Sequence, residues 1–278
     1  MSVSAGSMAA PATAATAPVD VLRDGLRRLG RVVVAFSGGA DSALLAWVAH
    51  DTLGRDAVLC ATALSPSLAG EEERDCRSLA AEWGLRWVGV PTAEMQDAAY
   101  VANGSDRCAR CKTALMEALG PLAEAEGATV VLGVNVSDLG DHRPGQAAAA
   151  DAGAVFPLVD AGFAKDDVRH WSRALGLRTW DKPAAACLAS RIPYGTPVTV
   201  ERLRSVAAAE SGLRALGFGA LRVRHYGDTA RLELPLDDLP AVLAQREAVV
   251  AAVREAGYRY VTLDLEGLRS GNLNRTLL

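Results

Sequence analysis

The chain has 278 residues, half of them apolar, with a net charge of −4 at pH 7 and a pI near 5.6. That length can bury a sizeable core, as one large domain or as a medium and a small one. The charge supplies no global basic field, which argues against a nucleic-acid partner, and no apolar run approaches the roughly 20 residues of a membrane span. The five cysteines are too few for a disulfide scaffold, so a reducing, cytoplasmic setting is expected.

Residues 1–17 are small and polar, with no Lys or Arg, and read as a disordered tail. Val19–Leu29 has the spacing of an amphipathic helix, and Arg31–Phe36 is a β-branched apolar run, the pattern of a buried strand. Helical spacing returns over Asp41–Leu53, followed by a strand at Ala57–Leu64, a helix at Glu71–Trp83 and a strand at Leu85–Val90. A helix over Lys112–Glu126 leads to a strand at Thr129–Leu132. Strands alternating with helices predict an α/β fold over residues 18–197, a parallel sheet with helices on both faces. Ligands of such sheets bind at the carboxyl ends of the strands. After Pro197 the texture changes. Thr199–Leu216 is a predicted helix, and strands Leu221–Tyr226 and Ala230–Leu234 flank the hairpin signal Gly227-Asp228. A helix at Pro240–Ala256 and a strand at Arg259–Leu263 complete a small α+β domain, residues 198–278.

The strongest local signal is Ser37-Gly38-Gly39-Ala40-Asp41-Ser42, where a buried strand runs straight into a helix. Two glycines let successive N–H groups turn toward one spot, the serines add hydroxyls, and the helix presents its positive end. Together they predict a nest for a pyrophosphate. Asp41 stands where it could hold Mg2+ or cap the helix. The Walker pattern requires a Gly-Lys-Ser/Thr that this loop lacks. The loop resembles the signature of the PP-loop ATP pyrophosphatases, Ser-Gly-Gly-x-Asp-Ser. The resemblance implies that ATP is cleaved between its α- and β-phosphates, a substrate oxygen being adenylated as pyrophosphate leaves.

A second candidate loop runs from Trp180 to Thr196, polar, bounded by prolines, with Cys187, Ser190 and Arg191 inside it. Arg191 beside Cys187 would favour a nucleophilic thiolate, although a buried structural cysteine fits the residues equally. The segment Cys-Leu-Ala-Ser-Arg-Ile-Pro-Tyr-Gly resembles that of the LarE-type sulfur transferases. So do Gly133-Val134-Asn135 through Asp138, Gly140-Asp141, Arg143-Pro144-Gly145, Arg222-Val223-Arg224 and Asp264-Leu265-Glu266-Gly267. The resemblance runs from about Val19 to the C-terminus. It implies adenylation of a carboxylate on a pyridinium mononucleotide and its conversion to a thiocarboxylate, in synthesis of the nickel-pincer cofactor. It also implies a small-molecule nucleotide substrate and a homo-oligomer, a hexamer. In the sacrificial version of the chemistry the motif cysteine, here Cys187, gives up its own sulfur and becomes dehydroalanine.

Cys108 and Cys111 complicate that version. They form a Cys-x-x-Cys pair read as part of a polar loop before a helix, where Cys111 is expected to have a depressed pKa. With Cys187 they could hold a 4Fe–4S cluster, leaving one iron open to carry sulfide, and this reading is favoured over sacrifice. Cys60 and Cys76 are read as thiols without a role. Arg222 and Arg224, two apart on a strand, point to one face and could clamp a substrate phosphate. By the resemblance, Glu210 and Glu233 would bind metal near that phosphate. Asn135, Asp138 and Asp141 follow strand Thr129–Leu132, at the edge where ATP is expected. Alternative readings are another PP-loop enzyme, amidating like NAD synthetase or thiolating tRNA, and an ATP-binding sensor without catalysis.

Overall fold

The computed structural model describes residues 17–140, 144–183 and 186–269. Of the expected tail only Ala17 is among them, and Asp141 and Arg143 lie outside. Helix α1 (Pro18–Leu29) opens on a proline, where the missing N–H is harmless, and buries Val19, Leu22 and Leu26 at helical spacing. Then come β1 (Val32–Ala35), α2 (Ala40–Leu53), β2 (Val58–Leu64), α3 (Gly70–Glu82) and β3 (Arg86–Pro91). A short helix, α4 (Ala98–Val101), precedes α5 (Arg107–Glu126) and β4 (Thr129–Leu132).

These four strands form one parallel sheet in the order β3-β2-β1-β4. Alternation along each strand divides the core in two. Val32, Val34, Val58, Cys60 and Val131 face α1, α2 and α3, with Leu44, Leu45 and Leu79 packed on them. Val33, Leu59, Ala61, Val130 and Leu132 face the other way, onto Met116, Leu119 and Ala123 of α5. The predicted fold class is therefore the observed one. The order reverses at β1, since β2 and β3 lie to one side and β4 to the other. In an open parallel sheet such a switch point leaves a crevice at the strands' carboxyl ends.

Helices α6 (Pro144–Asp151), α7 (Pro157–Asp160) and α8 (Lys165–Ala174) follow β4. The C-terminal part contains α9 (Val200–Ala215), β5 (Arg222–Tyr226), β6 (Thr229–Glu233), α10 (Leu239–Ala244), α11 (Arg246–Glu255) and β7 (Tyr260–Leu263). Its sheet has the order β5-β6-β7, with the first pair antiparallel and the second parallel. Gly227, at φ +62°, makes the two-residue turn between β5 and β6. Two boundaries differ from the sequence expectation. The helix predicted over Pro240–Ala256 divides at Gln245, whose backbone leaves the helical region. Helix α5 begins at Arg107, so Cys108 and Cys111 stand in its first turns rather than in a preceding loop. Among the described residues no helix is long and apolar enough to cross a membrane.

Candidate active site

The loop Ser37–Ser42 lies at the switch point. Gly38 adopts φ +69°, a region costly for any other residue, and a Cβ there would stand 2.9 Å from Cys76 Sγ. The loop is braced from within. Ser42 Oγ donates to the Gly39 carbonyl at 3.1 Å and accepts from the Ser37 N–H at 3.3 Å, and the two serine hydroxyls are 3.1 Å apart. The N-cap of α2 is Gly39, which has no side chain to cap the helix start, an arrangement that suits an anion. Asp41 is not the N-cap but the second residue of the helix.

Asp41 reaches across the crevice instead. Its Oδ1 accepts from Asn135 Nδ2 at 2.7 Å, and the Asn135 N–H donates to Asp138 Oδ2 at 3.4 Å. The segment after β1 is thereby joined to the segment after β4. Burial is the largest influence on Asp41 and raises its pKa; the Asp138 charge adds to this against the hydrogen bond from Asn135. Asn135 is buried, and its Oδ1 has no hydrogen-bond partner among the described residues. Two carboxylates and an orphaned amide oxygen form a hard donor set of the kind that suits Mg2+ together with phosphate oxygens.

Gly133 permits the close approach of the two segments. A Cβ on it would lie 2.7 Å from Ser42 N, 2.8 Å from Ser42 Cα and 2.9 Å from the Asp41 carbonyl carbon, all backbone atoms that cannot rotate away. Gly133→Ala is expected to destabilise the fold by about 1–3 kcal/mol, the usual cost of overpacking. It should also weaken nucleotide binding, because β4 would be pushed from the phosphate loop. Denaturant melts and an ATP titration test this; a variant with wild-type stability and affinity would contradict it.

The cysteine segments face each other near this edge. Asn103, fully buried and in the left-handed region at φ 59°, joins them. Its Nδ2 donates to the carbonyls of Ile192, Pro193 and Thr196 at 3.3, 2.8 and 2.8 Å. Its Oδ1 accepts from Arg107 Nη1 at 2.7 Å, and that same nitrogen donates to the Ala189 carbonyl at 2.9 Å. Arg107 is buried with its guanidinium 5.4 Å from the Tyr194 ring centroid. Burial opposes its charge, but the negative potential of Cys187 and Cys108 prevails and raises its pKa. On the other side of the motif, the Leu188 N–H donates to the Ser67 carbonyl at 2.9 Å, and the Ser67 hydroxyl meets Tyr100 Oη at 2.6 Å. Neither Asn103 nor Ser67 carries a signal in the sequence. A buried Asn at positive φ has no linear signature.

Three sequence expectations are corrected here. The Cys111 thiol is pushed up to about 12, chiefly by burial and then by charge on Cys187, instead of being lowered by the helix start. It packs against the apolar cluster that contains Tyr100, Leu188 and Ile192, so desolvation outweighs the dipole. Arg191 is engaged away from the thiol. Its Nη1 donates to the carbonyls of Ala186 and Cys187 and to Ser190 Oγ, and its Nε pairs with Glu210 at 2.8 Å. It braces the motif's backbone. Finally, the carboxylates of Glu210 and Glu233 are taken up by guanidinium groups. Glu210 meets Arg191 and Arg214, and Glu233 meets Arg224 and Arg231, all within 3.0 Å. A metal there would have to displace buried ion pairs, so the metal role is withdrawn.

Arg222 and Arg224 also differ from each other. Arg224 is buried, paired with Glu233, and donates to the Ser190 carbonyl at 2.8 Å, tying β5 to the Cys187 motif. Arg222 is partly exposed and donates to the Arg269 carbonyl at 3.0 Å. Its pKa is lowered by burial and by the charges of Arg224 and Arg191. A cleft of about 250 Å³ opens beside Leu188, lined by Glu71, Arg74, Glu210 and Arg214. A larger one, about 550 Å³, lies at the amino end of the sheet, where Arg77 and Arg86 are already paired with Glu73 and Glu126.

Cys187 and Cys108 are exposed and Cys111 is half-buried. Among the described residues no three His, Cys, Asp or Glu side chains converge closely enough to hold a single metal ion. Cys187 and Cys108 are near enough for their charge to add to the upward shift of Cys111.

Comparison with known proteins adds the following. No family model matches the chain. An uncharacterized protein of Synechocystis sp. is 45% identical over 259 residues, 92% of this chain and 96% of that protein. The pyridinium-3,5-bisthiocarboxylic acid mononucleotide synthase of Lactiplantibacillus plantarum is 41% identical over 253 residues, 91% of this chain and 92% of that one. An uncharacterized protein of Methanocaldococcus jannaschii is 26% identical over 241 residues, 86% and 91% of the two chains.

Proposed function

The chain belongs to the family of the pyridinium-3,5-bisthiocarboxylic acid mononucleotide synthases, the LarE family, and from that premise we propose that it converts a carboxylate of a pyridinium mononucleotide to a thiocarboxylate, using ATP. The observation that carries the reading is the bond between Asp41 and Asn135 at the switch point. It joins an uncapped helix start, suited to a pyrophosphate, with a hard donor set suited to Mg2+. That combination supports a PP-loop type of ATP cleavage.

In this reading the loop Ser37–Ser42 holds the β- and γ-phosphates by N–H groups and hydroxyls. Mg2+ held by Asp41 and Asp138 would neutralise charge on the triphosphate. The substrate carboxylate oxygen bonds to the α-phosphorus, the bond from that phosphorus to the bridging oxygen breaks, and pyrophosphate leaves with the electron pair. Cys187, exposed on the facing motif, is where sulfur meets the adenylate. Arg222 is the better candidate for the substrate phosphate than Arg224. Its like-charged neighbours leave a positive spot that an anion would relieve, whereas Arg224 is committed to Glu233. Cys108, Cys111 and Cys187 would hold a 4Fe–4S cluster; when bound, it would supply sulfide at the iron that has no protein ligand.

The experiment is pyrophosphate release from ATP in the presence of the pyridinium acceptor, with Asp41→Asn as the variant. Loss of a carboxylate at the reacting phosphates should lower release by at least ~10²-fold. Stability should move the other way. Unfolded Asp41 ionises near the usual value of 3.8, while the folded residue keeps its proton to higher pH. The buried carboxylate therefore costs stability above the raised folded value, and the cost vanishes below 3.8. Asp41→Asn should melt higher than wild type at pH 7, with the advantage fading on acidification through that window. Clean ADP formation, or undiminished pyrophosphate release by Asp41→Asn, would contradict the reading.

A further inference from the structure

The phosphate loop contains no lysine, yet an ammonium group stands at it. Lys182 lies in the irregular stretch leading toward Cys187, and its Nζ donates to the Gly38 carbonyl at 3.2 Å. The same nitrogen is 2.7 Å from Glu72 Oε2 and 2.6 Å from Asp75 Oδ2, both on α3. Burial works against the charge, but Asp75 and Glu72 outweigh it and keep the group protonated. Gly38 is the residue whose left-handed backbone turns the loop, so the ammonium is held against the backbone of that turn.

We propose that Lys182 is the missing cation of the phosphate loop, contacting the β- and γ-phosphates of ATP and neutralising the pyrophosphate as it leaves. This deepens the adenylation reading above and rests on it. When the carboxylate oxygen bonds to the α-phosphorus, negative charge accumulates on the departing pyrophosphate. An ammonium placed there stabilises that charge most where it is greatest, in the transition state.

The two acids make the handover feasible. They hold the ammonium beside the loop rather than inside it, where it would occupy the anion's place. Asp75 is shared with Arg178, whose Nη2 lies 2.8 Å from its other oxygen, so Asp75 keeps a cation when Lys182 turns to a phosphate. The Glu72 side chain is 25% exposed and regains water on the same movement. A lysine serving only as a strut between α3 and the loop would need neither the second cation nor the solvent access.

The test compares ATP with AMP, which lacks the phosphates in question. In Lys182→Met and Lys182→Gln, calorimetry with Mg2+ should give an ATP affinity lower by roughly 10- to 100-fold, the range of a charge-assisted contact. AMP affinity should be unchanged, and Lys182→Arg should recover part of the loss. Equal losses for both nucleotides, or none for ATP, would overturn the assignment in favour of a strut. Wild-type protein gives a second measurement that does not depend on the variants folding. Lys182 is labelled with an amine-reactive reagent, with and without magnesium pyrophosphate, and its peptide is quantified by mass spectrometry. Pyrophosphate should protect it and AMP should not; unchanged labelling overturns the proposal. Wild-type protein that binds neither ATP nor pyrophosphate would overturn the adenylation reading together with this one. Binding of both with Lys182 indifferent overturns this one alone.

Discussion

Cys187→Ala is expected to abolish thiocarboxylate formation, by roughly 10³-fold or more, while labelled pyrophosphate still exchanges into ATP with the acceptor present. The two halves of that result come from different parts of the crevice. On the proposed reading, exchange depends on the loop Ser37–Ser42 and on Asn135, which are tied together by the bonds of Ser42 to Ser37 and Gly39 and of Asn135 to Asp41. The Cys187 thiol proposed to meet the adenylate is exposed and outside the packed clusters, so its removal leaves no cavity. The motif's backbone should survive the change. Ser190 N and Arg191 Nη1 bond the carbonyl of residue 187, not its side chain, and Leu188 N is fixed to Ser67. Tandem measurement of exchange and of thiocarboxylate by mass spectrometry separates the two steps. Sulfur transfer at the wild-type rate by Cys187→Ala would remove Cys187 from the reaction, and loss of both activities would mean that it helps to build the nucleotide site.

The part of the site that was legible in the sequence is the part written in consecutive residues. Val32–Ala35 into Ser37-Gly38-Gly39 is a strand, a turn and a helix start, and short-range rules suffice for each. The α/β alternation was legible for the same reason, since each buried strand carries its own β-branched run. The rest depends on what folding brings together. Lys182 is 144 positions from Gly38, and a Lys-Pro in an irregular stretch says nothing about a phosphate. Arg191 is four residues from Cys187, close enough to suggest a thiolate partner, yet Glu210 on α9 draws its guanidinium elsewhere. Arg107 is 82 positions from Ala189, so its bond to that carbonyl has no local signal. The sign of the Cys111 shift failed for a similar reason. The helix start is local and visible, whereas the apolar cluster that desolvates the thiol is assembled from α4, the Cys187 motif and α9.

The iron content of protein reconstituted anaerobically with iron and sulfide is the second large effect, expected at about four irons per chain in a brown protein. The argument begins with where the three thiols stand. Cys108 and Cys111 lie one turn apart at the start of α5, and Cys187 faces them from a motif pinned to α5 through Asn103 and Arg107. Arg107 is buried between the segments and is held there by neutral acceptors, Asn103 and the Ala189 carbonyl. Its charge is therefore available to offset thiolates, which ligation requires. Cys108→Ala should lose most of the iron with little change in melting temperature, because that thiol is exposed. Cys111→Ala should lose iron and also some stability, because its side chain packs against Tyr100 and Leu188. Both variants should keep pyrophosphate exchange and lose repeated turnover. The opposite outcome is equally definite. If the iron-free protein completes one turnover and its Cys187 peptide has lost the elements of H2S, then Cys187 is the sulfur source, and the Cys108–Cys111 pair is dispensable.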